Sequence, residues 1–123
     1  MKEFMLYIRN DGSELPAEIE TEFLKHCESY IGNLQAQGKL IGAQPIGDEG
    51  VMLSNPDGNW SEAPYHESKD TNAGYYHIRA TDLNDAIAIA KMNPEFVYRK
   101  TARIEVRSIK TSEETTGFVY PTE

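Results

Sequence analysis

A chain of 123 residues, 39% hydrophobic and 26% charged, has the size and make-up of one globular domain with a single core. Its formal charge of −8 opposes binding to a nucleic-acid duplex or an anionic membrane, and no apolar run approaches the roughly 20 residues that span a bilayer. Cys27 is the single cysteine, which excludes an internal disulfide and a thiolate zinc cluster and points to a reducing, cytoplasmic home.

In chain order, residues 3 to 9 alternate and are rich in Phe, Tyr and Ile, so they read as a strand rather than a leader peptide. Asn10-Asp11-Gly12-Ser13 is a turn cluster. Pro16 suits a first helical position, with Glu18 and Glu20 near the positive helix end. Ile19, Phe23, Cys27, Tyr30, Ile31 and Leu34 then recur at helical spacing, predicting an amphipathic helix of about six turns that Gly38 ends.

Lys39 to Ala43 is a short strand. Val51 to Ser54 and Asn59 to Ser61, around the turn Asn55-Pro56-Asp57-Gly58, form a hairpin. Residues 62 to 72 are polar and read as a loop with a short helical turn. Gly74 to Ala80 is a strand, Thr81 or Asp82 caps a second helix with Leu83, Ala86, Ile87 and Ala90 on one side, and Asn93-Pro94 stops it. Ala102 to Ile109 is the last strand, and residues 111–123 are a polar tail after a domain of residues 1–110. The order is β-α-β-hairpin-β-α-β, an α+β chain. Its simplest packing is the ferredoxin-like split βαβ sandwich, an antiparallel sheet with two helices on one face and an extra hairpin.

Side chains alternate along a strand, so each strand sorts into two sets. The apolar sets Phe4, Leu6, Ile8, then Tyr76, Ile78, Ala80, then Ala102, Ile104, Val106 can meet the helices. The remaining sets place Tyr7, Arg9, Tyr75, His77, Arg79, Arg103 and Arg107 on the opposite face, which therefore holds four of the five arginines of the chain. Guanidinium groups suit carboxylate or phosphate, and Tyr and His add apolar bodies with polar tips, so this face is a candidate site for a small anionic compound. The same arginines could instead pair with cross-strand carboxylates such as Glu105 or face water. A third reading is a dimer interface, where Tyr and Arg are enriched.

The stretch Glu62 to Asp70 followed by Gly74-Tyr75-Tyr76 resembles the YCII-related family, in its DGPF branch, whose motif runs D-G-P-F-x-E-[ST]-K-E and then G-Y-Y. His26-Cys27-Glu28-Ser29-Tyr30-Ile31 resembles the family's H-x-x-[FY]-[IL] helix, and Ile104-Glu105-Val106-Arg107 its closing V-E-V-R-P strand. Glu62-Ala63 stands where the family has Asp-Gly, Tyr65 where it has Phe, and Ser108 where Pro is usual. The resemblance implies a ferredoxin-like homodimer packed sheet to sheet into an α/β barrel, with the Tyr/His/Arg face and Tyr65 lining the shared cavity.

It fixes no single activity. Some relatives are regarded as enzymes that use a helix His with an Asp in elimination-type chemistry, and others are uncharacterised. His26 is the matching residue. It is either a general acid/base or a helix-boundary side chain bonded to a backbone carbonyl. Asn33, Gln35 and Gln37 further along the helix are neutral, so its carboxylate partner would come from elsewhere in space, from Glu62, Glu67 or Asp70. Nothing spaces His26, His66 and His77 as a metal site, and no cofactor is expected. Lys69 beside Ser68 and Glu67 fits an anion contact or a loop bonded to itself, Trp60 a core cover or a lid, and Cys27 inert packing. Three functions follow: a dimer binding a small anion, a lyase- or isomerase-type enzyme using His26, and a structural or interaction module.

Overall fold

The computed structural model describes residues 1–65 and 70–122. Among these residues six strands form two sheets: β1 Lys2–Asn10, β2 Leu40–Pro45, β5 Thr71–Ala80 and β6 Arg103–Ser108 in the larger, and β3 Met52–Ser54 with β4 Ser61–Ala63 in a separate hairpin. The helices are α1 Ala17–Ala36, α2 Leu83–Lys91 and the single turn α3 Glu95–Tyr98. The larger sheet runs β2-β5-β1-β6, antiparallel at every pairing. The chain is thus α+β, as expected.

Alternation builds the core. Phe4, Leu6 and Ile8 of β1 and Tyr76, Ile78 and Ala80 of β5 are buried, while the residues between them are half-buried. Tyr30 and Leu34 of α1 and Ala86, Ile89 and Ala90 of α2 join the same cluster. Both main helices therefore cover one face of the sheet, and the other set of strand side chains faces away from them.

Local chemistry sets the ends. The helix α1 starts after Pro16, whose carbonyl takes the first helical bond from Glu20 N at 2.9 Å. It ends where Gly38 enters the left-handed region at φ 69. There Lys39 N donates to Leu34 O and Gly38 N to Gln35 O, satisfying carbonyls that the helix end would leave open. Asp82 caps α2 by accepting from Asp85 N at 2.9 Å, and Asp85 in turn accepts from Thr81 N.

The hairpin pairs residues 52–54 with 61–63, two residues beyond the expected second arm, because a turn of 3-10 helix at Pro56–Gly58 lengthens the loop. Asn93-Pro94 does stop α2, but the chain then forms α3. Asn93 Oδ1 accepts from Glu95 N at 2.9 Å and Pro94 is the N-cap, where its missing N–H costs nothing. The expected stripe on α1 is only partly used. Tyr30 and Leu34 are buried, but Ile19 is exposed at its first turn. Trp60, 72% exposed, covers no core. The tail folds back on itself: Ser112 bridges Val119 and Phe118 stacks edge-on against Tyr120.

Candidate functional site

Strand register brings the predicted polar face together. In antiparallel pairs, residues directly across a ladder share a face. Met5 faces His77, Tyr7 faces Tyr75 and Glu3 faces Arg79 between β1 and β5. Tyr7 faces Glu105, Arg9 faces Arg103 and Met5 faces Arg107 between β1 and β6. Seven of the eight expected ligand-binding residues, Tyr7, Arg9, Tyr75, His77, Arg79, Arg103 and Arg107, thus lie on one surface. Met5, Tyr7, Tyr75, His77 and Arg79 are half-buried there.

The electrostatics of that face differ from a uniformly cationic wall. Glu105 accepts from Arg107 at 2.9 Å and lies 3.4 Å from Arg9, so one carboxylate serves the like charges of Arg9 and Arg107. The Arg107 hydrogen bond, followed by Arg9, holds the Glu105 carboxyl below the usual carboxylate range. Arg103 pairs with Asp70. Glu3 Oε1 lies 2.8 Å from His77 Nε2. Although Glu3 stands directly across from Arg79, its carboxylate is turned to His77. Among the described residues Arg79 is the one arginine of this face with no ion-pair partner. Glu3 has the same parity as Met5 and Tyr7, so alternation alone would have placed it here.

Tyr65 is not on this face. It lines a cavity of about 160 Å³ at the strand ends with Asn10, Ser13, Asp48, Thr71 and Arg99, and its hydroxyl donates to Asp48 O at 2.5 Å. Arg99 donates to Ser13 O at 2.5 Å, and its Nε lies 3.8 Å from the buried carboxylate of Glu95. Asn10 Nδ2 completes the network by donating to Glu95 Oε1 at 3.0 Å. Neither Glu95 nor Arg99 stood out in the sequence. Their four-residue spacing on a predicted helix would have been the signal, but Asn93-Pro94 concealed that helix.

His26 lies on α1, and α1 covers the apolar side of the sheet, so the sheet separates it from the polar face. It lines a groove of about 460 Å³ between α1 and the α2–α3 segment, and among the described residues no arginine lines that groove. The bond partner of His26 is the Tyr98 hydroxyl, 3.0 Å from Nδ1, with the two rings edge to face at 5.4 Å. It is neither a backbone carbonyl nor one of the expected carboxylates. Asp70 is paired with Arg103, Glu62 lies on β4 opposite Leu53, and Glu67 lies outside the described residues, as do His66, Ser68 and Lys69. Partial burial and then the charge of Glu22, one turn before His26, raise the pKa of Tyr98.

Cys27 is half-buried, and burial followed by the Glu95 carboxylate pushes its thiol up to about 11. Burial likewise pushes the hydroxyls of Tyr30 and Tyr76 well above the ordinary phenol range. Among the described residues no group of three His, Cys, Asp or Glu side chains is placed to hold a metal ion, and no helix is long and apolar enough to cross a membrane. No family model and no curated protein matches the chain.

Proposed function

We propose that the chain is a YCII-related protein of ferredoxin-like fold, cytoplasmic, that pairs with a second copy through the polar sheet face and holds a small carboxylate compound there. The strand order β2-β5-β1-β6, with both main helices on one side, supports the ferredoxin-like reading. Tyr, Met and Arg at the middle of the opposite face, with their charges largely balanced in place, suit an interface between identical surfaces.

The observation that carries the ligand is Arg79. It is a half-buried guanidinium without an ion-pair partner among the described residues, flanked by Tyr75 and His77 of the same strand. A carboxylate bound to its donor fork would be a charge-assisted, two-point contact. Thermal unfolding with acetate, succinate or phosphate at fixed ionic strength tests this. At tenfold excess over Kd, binding adds about 1.4 kcal/mol and raises the melting temperature by roughly 5 °C. Arg79→Ala should abolish that rise. Equal rises in both proteins, or none in either, count against the site.

A second reading, an enzyme using His26 as acid or base, is favoured by its place at the rim of the groove with Nδ1 fixed by Tyr98. A carboxylate-bearing substrate would find no cationic side chain among the residues lining that groove. The chemistry of this alternative therefore differs from that of the sheet face.

A further inference from the structure

The helix-side groove has the make-up of a ligand site in its own right. Its volume of about 460 Å³ falls within the range of small-molecule pockets. One wall is polar. His26, Ser29 and Asn33 of α1 and Gln37, its C-cap, follow one another at intervals of three or four, which sets them on one stripe. The side chains of Ser29, Asn33 and Gln37 make no hydrogen bond to the described residues. The other wall is apolar: Ile89, Met92 and Val97 face the stripe, and Met92 and Val97 are 75% and 73% exposed. The floor is Tyr30 and Leu34, with Tyr30 fixed by its hydrogen bond to Ile89 O at 2.7 Å.

Apart from His26, no ionisable acid or base other than the floor Tyr30 lines this space among the described residues. A carboxylate or phosphate there would lose water without gaining a counter-charge, which is unfavourable. An uncharged molecule with a flat apolar body and an amide, hydroxyl or carbonyl edge meets both walls. The body covers Met92 and Val97, and the edge reaches the amides and hydroxyl of α1. Tyr98 takes Nδ1 of His26, which leaves Nε2 for the ligand.

We propose that the groove between α1 and the α2–α3 segment binds a small uncharged amphipathic compound carrying an amide-like group, with Tyr98 acting as the positioning residue for His26. This site is independent of the sheet face and of its anion.

Titration of the isotope-labelled protein with benzamide, followed by amide and imidazole nuclear magnetic resonance, is the test. Saturable shifts should cluster at Ser29, Asn33, Gln37, Ala88 and Val97. Ala88→Phe fills the groove from an exposed position and should remove them while the rest of the spectrum stays folded. Tyr98→Phe should weaken benzamide about fivefold, the loss of one neutral hydrogen bond, and should alter the two ring-nitrogen signals of His26. A merely structural Tyr98 would leave those ring signals in place. Arg79→Ala should bind benzamide as the wild type does, so failure of the sheet-face site leaves this one standing. Shifts that scatter, fail to saturate at millimolar benzamide, or persist unchanged in Ala88→Phe would overturn the proposal.

Discussion

Glu95 is 6% exposed and answers to two groups at once, the Asn10 amide at 3.0 Å and the Arg99 Nε at 3.8 Å. Its removal leaves a buried amide donor unmet and takes the carboxylate away from Arg99, whose guanidinium keeps only its bonds to Ser13. Glu95→Ala should therefore cost about 2 kcal/mol in urea unfolding, and a loss under about 0.5 kcal/mol would show the network to be idle. Cys27 makes the opposite case, a group that looks reactive and is not. With its thiol pushed up to about 11, the neutral form persists at pH 8 and the thiolate nucleophile is scarce. Alkylation by iodoacetamide at pH 8 should run at least about a hundredfold slower than for a free cysteine and recover on denaturation. Fast labelling of the folded chain would contradict this. The inert reading of Cys27 was open to sequence because its place in the stripe is local. The role of Glu95 was not, because its partner Asn10 lies 85 residues away.

Among the elements, the central strands were the most legible. Phe4, Leu6, Ile8 and Tyr76, Ile78, Ala80 are buried because a period of two leaves a strand no other way to hide its apolar half. What eluded sequence was what tertiary contact decides. The helix α3 is too short to show a period, and the N-terminal part of α1 keeps its apolar stripe but has little packed beneath it, leaving Ile19 41% exposed. Gly74 shows a requirement that pattern alone does not explain. A Cβ there would stand 2.8 Å from Gln44 O and 3.2 Å from Pro45 Cα, both backbone atoms of the neighbouring strand β2. Gly74→Ala should push β2 away from β5 at a cost of about 1–3 kcal/mol, read as a lower urea midpoint and faster exchange of the β2 amides. Unchanged exchange at Gln44 and Ile46 would refute the close approach.

At the scale of the whole molecule, the sheet divides the protein into two surfaces of different chemistry. Among the described residues, the face away from the helices carries paired charges with Arg79 left over, and the helix layer carries a groove with no charged side chain but His26 at its rim. Sequence alternation assembled the first surface and offered Glu105 as a partner for its arginines, but could not say which arginines are paired. The carboxylates that hold Arg9, Arg103 and Arg107 come from Glu105 and from Asp70, whose position beside β6 no local pattern announces. Tyr65 was joined to that surface by resemblance, and its place at the strand ends follows from the chain's path between elements, whereas His26 was read on the helix and lies there. The proposed function rests on the polar face meeting its copy. Sedimentation velocity at micromolar concentration tests that most directly. The account predicts a species of twice the 13.9 kDa chain mass, reduced to the single chain by Tyr75→Asp, which places a charge at the centre of the face. A wild-type protein sedimenting as a single chain, or a folded Tyr75→Asp variant that stays dimeric, would contradict it.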